Sequence, residues 1–221
     1  MQASELLTDN FPTLKPGDSL SKAVELFLDT CVAHFPIVAE DDLLQGILPA
    51  DVALAGGDGA KNVSDVKEDW VQAAVLPGQH GLQIFEIAAK YQLTSIPVVT
   101  EERRYTGTIT TEHLLSTIGN LYSFKNIGGI IVLNVGARDY DLAEIARIIS
   151  SNNAKILVLY MDSNEMTGDL TITLKVNTLE LSHIIATFER YSYKIPYFYP
   201  SVEKSDDMKD RYDLLMKLFD L

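Results

Sequence analysis

An ungapped self-match at an offset of 61 residues limits what this chain can fold into more than any other feature: Pro16-Gly17 falls on Pro77-Gly78, Pro36 on Pro97, Val38 on Val99 and Gly46 on Gly107. Turn and strand residues kept in one order at one spacing describe two copies of a supersecondary unit that must bury its apolar face against its neighbour. Each copy reads as a Pro-Gly turn, a helix, two short strands and a closing helix. In the first copy the helix carries Ala23, Val24, Leu26 and Phe27 near 3.6-residue periodicity, the strands cover 35–39 and 45–48, and Pro49 suits the first turn of the next helix. In the second copy the helix carries Ile84, Phe85, Ile87 and Ala88, the strands cover 95–100 and 105–109, and a helix follows from Thr111. Ala55-Gly56-Gly57-Asp58-Gly59 between the copies reads as a flexible joint.

The Pro-Gly opening, the apolar-Pro-apolar-Val strand and the Gly-apolar-apolar-Ser/Thr ending, twice in tandem, resemble the cystathionine-β-synthase-type (CBS) repeat over residues 1 to about 123. The resemblance implies a pseudo-symmetric tandem CBS pair over 1–126, with repeats at about 1–56 and 62–123, whose clefts bind adenosine-containing ligands: AMP, ADP, ATP or S-adenosylmethionine. In that family a Ser or Thr at the start of the closing helix meets phosphate, and an Asp three residues on accepts from ribose hydroxyls. The second repeat keeps Thr110 and has His113 at the Asp position, while the first has Pro49 and Val52 there. The ligand is therefore expected in the second repeat, with Thr110 at phosphate, His113 near ribose, and Ile96, Pro97, Val98 and Trp70 walling the base. A plain helix cap is the alternative role for Thr110, and a structural surface histidine the alternative for His113.

From Gly128 the repeat stops. Strands are expected over 129–135, 154–161, 169–177 and 193–199, with helices over 141–151 and 179–191 between them. The order βαββαβ is the ferredoxin-like arrangement, so the fold class is α/β followed by α+β. Asp141-Leu142-Ala143-Glu144 has the form of a capping box, with Asp141 accepting from first-turn amides and Glu144 reaching back. Asp139-Tyr140-Asp141-Leu142-Ala143 after the first strand resembles the ACT domain, which implies a small metabolite, often an amino acid, held at a subunit interface near Arg138, Asp139, Tyr140 and Asp141. Asp141 stands where that family has a Gly, which narrows the approach and sets a carboxylate against a ligand carboxylate. Two CBS repeats followed by an ACT-like domain over 127–200 are also similar to acetoin-utilisation accessory proteins.

Catalytic constellations are missing from the sequence. Gly56 to Asn62 lacks the spacing of a phosphate loop and its Ser or Thr, and there is no nucleophile elbow, paired-His helix or Cys-x-x-Cys. His34, His80 and His183 have no partner at metal spacing, and the capping box accounts for Asp141 and Glu144, so no metal is expected. Cys31, the single cysteine, reads as a core thiol in a reducing compartment. These points suit a non-catalytic regulatory protein in the cytoplasm, and the rival is a ligand-free interaction subunit of a metabolic enzyme.

Eighteen Lys and Arg against 31 Asp and Glu leave a formal charge of −13, which repels nucleic acid and anionic lipid. The first ten residues carry Glu5 and Asp9 without a cationic flank, and no apolar run reaches the length of a membrane helix. Residues 156–161 are apolar without alternation, so both faces of that strand are expected to be covered, whereas Leu170, Ile172, Leu174 and Val176 alternate with polar residues. Tyr191, Tyr193, Tyr197 and Tyr199 surround Pro196 in the last strand, which therefore belongs at a sheet edge. Met208, Tyr212, Leu215, Met216 and Phe219 form an apolar stripe expected to be a docking helix within 201–221. The surplus apolar surface predicts a homodimer in which ACT-like sheets and CBS pairs each meet their counterparts.

Overall fold

The structure, a computed structural model, describes residues 1–30, 32–56, 61–164 and 166–200. Cys31, most of the inter-repeat joint and the expected C-terminal helix lie outside the described residues. Two compact units follow one another, Met1–Gly119 and Asn120–Leu221.

In the first unit the helix α1 (Leu20–Thr30) begins where Ser19 Oγ accepts from the Lys22 N–H at 3.2 Å, and it buries Leu20, Ala23 and Phe27. A hairpin of β1 (His34–Val38) and β2 (Leu44–Pro49) follows, then α2 (Ala50–Ala55) with Pro49 as its N-cap residue. The second copy repeats the order with α3 (Gly81–Tyr91), β3 (Ser95–Val99), β4 (Tyr105–Thr110) and α4 (Thr111–Gly119). The copies agree in backbone detail at the offset read from sequence. Phe35 pairs with Leu48 as Ile96 pairs with Ile109, bulges fall at Ile37/Val38 and Val98/Val99, and the left-handed turn residues are Asp42 (φ 62°) and Arg103 (φ 63°). Across the seam Leu44 N–H donates to Arg103 O at 3.0 Å and Tyr105 N–H donates to Asp42 O at 2.8 Å, a reciprocal pair about a local two-fold.

One feature departs from the sequence reading. The opening segments are exchanged: residues 1–8 pack on the second repeat and 62–71 on the first. Thr8 bridges Thr108 on the outer edge of β4, while Val71 bridges Ile47 on the outer edge of β2. Ala3 and Leu6 accordingly bury with Ile84, Ile96, Ile109 and Leu114, and Val63 and Trp70 bury with Leu14, Phe35 and Leu48. The cause is hydrogen-bond demand: each hairpin leaves an edge unpaired, and the segment entering from the other copy satisfies it.

The second unit begins with the short helix α5 (Tyr122–Lys125), whose Phe124 carbonyl accepts from Lys175 Nζ at 2.7 Å. It continues as β5 (Ile130–Gly136), α6 (Leu142–Ser151), β6 (Ile156–Ser163), β7 (Asp169–Val176), α7 (Ser182–Arg190) and β8 (Lys194–Tyr199), with sheet order β6-β7-β5-β8, antiparallel throughout. Ile131, Leu133, Ile172 and Leu174 point to the helix-covered face and bury against Ile145, Ile148, Ile149, Ile184 and Phe188. Their alternation along β7 follows the expected pattern, and Pro196 does lie in an edge strand. The expectation for β6 is corrected within a single chain. It is the opposite edge strand, its first four side chains are half-buried, and Tyr160 and Met161 are exposed, because both helices cover the same face.

Candidate functional site

The helix start that carries Thr110 is built from two segments 102 residues apart in the chain. Thr110 N–H donates to Thr8 Oγ1 at 3.2 Å, the two hydroxyl oxygens are 3.2 Å apart, and Thr110 Oγ1 accepts from His113 N–H at 3.2 Å. Thr110 is thus the N-cap of α4, and it is 9 % exposed. Two hydroxyls joined by one hydrogen bond use one O–H between them, so the second O–H of the pair is free to donate, beside the positive end of a nine-residue helix. The equivalent corner of the first repeat holds Pro49 and, from the exchanged segment, Val71, and neither has a side-chain donor.

Polar groups continue along β4. Thr108 is fully buried and its Oγ1 lies 2.7 Å from the Tyr105 hydroxyl, whose pKa burial pushes up. Gly107 and Gly46, one repeat apart, both lie under an exchanged side chain: a Cβ at Gly107 (φ +155°) would meet Leu7 Cδ2 at 3.0 Å, and one at Gly46 would meet Trp70 Cβ at 3.1 Å. Trp70 is therefore the counterpart of Leu7 and belongs to the first repeat's core. It is 7 % exposed, with its Nε1 buried and lacking a partner among the described residues.

The other expected wall residues are also inward. Ile96, Pro97 and Val98 are buried, and the Pro97 carbonyl accepts from Val75 N–H at 2.9 Å, so the strand offers no apolar side chains to a ligand. His113 is exposed on α4. Two cavities of this unit are lined by other residues. One of about 390 Å³ is bounded by Leu43, Lys67, Gln72, Glu102 and Arg103, and one of about 340 Å³ runs along α3 past Gln83, Glu86 and Lys90.

In the second unit a cavity of about 500 Å³ opens where β5 ends and β8 begins, lined by Asn134, Asp139, Glu144, Asp169, Tyr193 and Lys194 among others. Of the four ACT-site candidates only Asp139 lines it. Arg138 is exposed, Tyr140 packs against the core, and Asp141 caps α6, accepting from Ala143 N–H at 2.8 Å and Glu144 N–H at 3.2 Å. Glu144 does not complete the expected capping box. It pairs with Arg147 at 3.2 Å and accepts from the Tyr193 hydroxyl at 3.1 Å, because Tyr193, just before the edge strand β8, competes for it. Burial first, and then the Glu144 carboxylate, push the Tyr193 pKa up to about 12. Among the described residues no group of three or more His, Cys, Asp or Glu is arranged to hold a metal ion, and no helix is long and apolar enough to cross a membrane.

The paired hairpins and their helix starts coincide with a known family. The family model of the CBS domain matches residues 3–51 and 73–120. The chain carries a CBS domain pair. Over 122 residues, 52 % of this chain, it is 25 % identical to homoserine O-acetyltransferase of Methanosarcina acetivorans, covering 22 % of that protein. The chain thus spans less than a quarter of the length of the curated relatives it matches. The solved structures similar to it include the following three. A CBS domain pair/ACT domain protein from Thermotoga maritima is 16 % identical, covering 53 % of this chain and 96 % of that one, at a TM-score of 0.48. A protein of Vibrio cholerae assigned to acetoin utilization (AcuB) is 21 % identical, covering 54 % and 91 %, at 0.48. The CBS domain pair of protein MJ0100, solved with 5′-methylthioadenosine and S-adenosyl-L-methionine, is 21 % identical, covering 54 % and 96 %, at 0.44.

Within the CBS pair, Thr8 is the functional candidate that sequence reasoning missed. It is 102 residues from Thr110, and no local pattern announces it. The spacing from Leu7-Thr8 to Trp70-Val71 could have suggested that the two segments play matching roles.

Proposed function

We propose that the protein is a non-catalytic regulatory protein whose CBS pair takes an adenosine-containing ligand (AMP, ADP, ATP or S-adenosylmethionine) at the second repeat. The observation that carries this reading is the Thr8–Thr110 hydroxyl pair at the start of α4, which leaves one O–H for an acceptor next to a helix N-terminus. His113, exposed one turn into the helix, is our candidate for a ribose hydroxyl. A ligand at 100 times its dissociation constant raises stability by about 2.7 kcal/mol, so a thermal-shift panel of the four ligands reads it directly. Thr110→Val should weaken the bound ligand by about 1 kcal/mol or more. Unchanged affinity in that variant removes the placement.

A second reading is favoured by Pro49 and Val71 in the first repeat and by the inward strand of the second. On it the protein is a ligand-free interaction subunit that regulates a metabolic enzyme, of the acetoin-utilisation kind, and flat melting curves across the panel select it. In either case we read the second unit as ACT-like and the protein as a cytoplasmic homodimer. Support for the dimer is the uncovered sheet face, where Tyr160, Tyr197 and Tyr199 are each more than half exposed beside Val132 and Ile130. Any metabolite in the 500 Å³ cavity faces Asp139, Glu144 and Asp169 with Lys194, which disfavours a free carboxylate there. Sedimentation equilibrium at micromolar concentration tests the dimer, and a mass near 24.5 kDa removes it.

A further inference from the structure

The seam between the repeats is closed at equivalent positions by four neighbouring residues. Ala33 N–H donates to Thr94 Oγ1 at 2.9 Å, and Ser95 Oγ donates to the His34 carbonyl at 2.7 Å. Between these bonds sits the half-buried His34 ring, whose Nδ1 accepts from Thr94 N–H at 3.2 Å and lies 3.1 Å from Thr94 Oγ1. A backbone N–H can only donate, so Nδ1 carries no proton and the ring is the neutral Nε2–H tautomer. Thr94 Oγ1 already accepts from Ala33, and the single lone pair of Nδ1 is engaged by the Thr94 amide. The same residues also anchor the closing helices. The Thr94 carbonyl accepts from Thr111 N–H at 3.0 Å and from Thr111 Oγ1 at 3.3 Å, and the Ala33 carbonyl accepts from Ala50 N–H at 2.9 Å.

We infer that His34 is a proton-released latch between the two repeats: its neutral ring fastens Thr94 to the first copy, and protonation removes that acceptor and loosens the seam together with the starts of α2 and α4. A protonated Nδ1 would face Thr94 N–H donor to donor and leave that amide unpaired in a half-buried place. The charged side chain acting on the ring among the described residues is Asp51 of α2, which favours the protonated form, while Thr94 and Ser95 beside it are uncharged. Burial outweighs Asp51 and holds the ring's pKa below the usual histidine value. The unfolded chain therefore binds the proton more readily. The contribution of His34 to stability is whole above the unfolded pKa of about 6.5 and is lost as pH falls below it toward the folded value.

The test compares the full chain with His34→Asn, whose side-chain oxygen can accept from Thr94 N–H but does not titrate. Hydrogen exchange at the Thr94 amide, corrected for intrinsic rate, should show opening in the unaltered protein that rises by up to about tenfold per pH unit below 6.5. The variant should hold level there, and its melting temperature should fall less between pH 7 and 5.5. The other three histidines are common to both proteins, so the comparison isolates His34. Parallel pH dependences in the two proteins overturn the latch. Should the variant not fold, ring ¹⁵N shifts of His34 in the unaltered protein decide: an Nε2–H tautomer titrating below 6.5 upholds it, and an Nδ1–H tautomer or titration at or above 6.5 overturns it.

Discussion

Leu6→Ala offers the sharpest test of how the two repeats are put together. Leu6 lies fourteen residues before α1 begins at Leu20, so a reading of the chain in order assigns it to the first copy. It is 1 % exposed and packed with Ile84, Ile96, Val98, Ile109 and Leu114 of the second. Cutting a fully buried leucine to alanine costs about 2–5 kcal/mol, the larger values applying where the surroundings cannot collapse into the gap. At this unit's size each kcal/mol lowers the melting temperature by about 4 °C, so a fall of roughly 8–20 °C is expected. Leu28→Ala is the control, since Leu28 sits on α1 in an apolar sequence pattern yet is 74 % exposed, and its loss should stay within about 0.5 kcal/mol. Denaturant unfolding measures both costs. Hydrogen exchange then locates the damage, with the amides of β3 and β4 losing protection before those of β1 and β2. A Leu6→Ala cost no larger than that of Leu28→Ala, or protection lost first in β1 and β2, would refute the exchanged packing.

Asp141→Ala removes the acceptor for two first-turn amides of α6 and should cost about 1 kcal/mol, whereas Asp141→Asn should keep most of it; melting temperatures at neutral pH compare them. Alkaline titration followed by ultraviolet absorbance should show one tyrosine ionising near pH 12, and Glu144→Gln should move that step down only in part, because burial is the larger cause. The folded value lies above the usual value of about 10, so the stability linked to Tyr193 is whole below pH 10 and lost as pH rises through 12. A Tyr193 step at pH 10 in the unaltered protein would contradict the contact with Glu144.

What the sequence reveals about this molecule divides along physical lines. The two short strands of each copy and the start of α4 at Thr111 follow from turn chemistry and alternation within a dozen residues, and there expectation and structure agree to within a residue or two. Asp141 capping α6 is equally local. Trp70 and Thr8 were not legible, because their places depend on which unpaired strand edge an incoming segment meets, a contact made 102 residues away in the case of Thr8. Glu144 fits the local motif and still does otherwise, since Tyr193 arrives from 49 residues further on. For β6 the apolar run is real but its burial is a property of position in the sheet, which hydropathy alone does not encode.

The exchange of opening segments also bears on how such a molecule could be divided. A polypeptide cut between the two hairpins would yield halves that each carry the other's closing strip, residues 1–8 in one piece and 62–71 in the other. Neither half is self-sufficient, so the fragments should rejoin as complements, and either fragment alone should recruit a second copy of itself to fill the vacant edge. Gene fusion or fission at this point would therefore preserve the architecture only if both strips travelled together, and a protease that removed the first eight residues would weaken the repeat farther along the chain while leaving the nearer one closed.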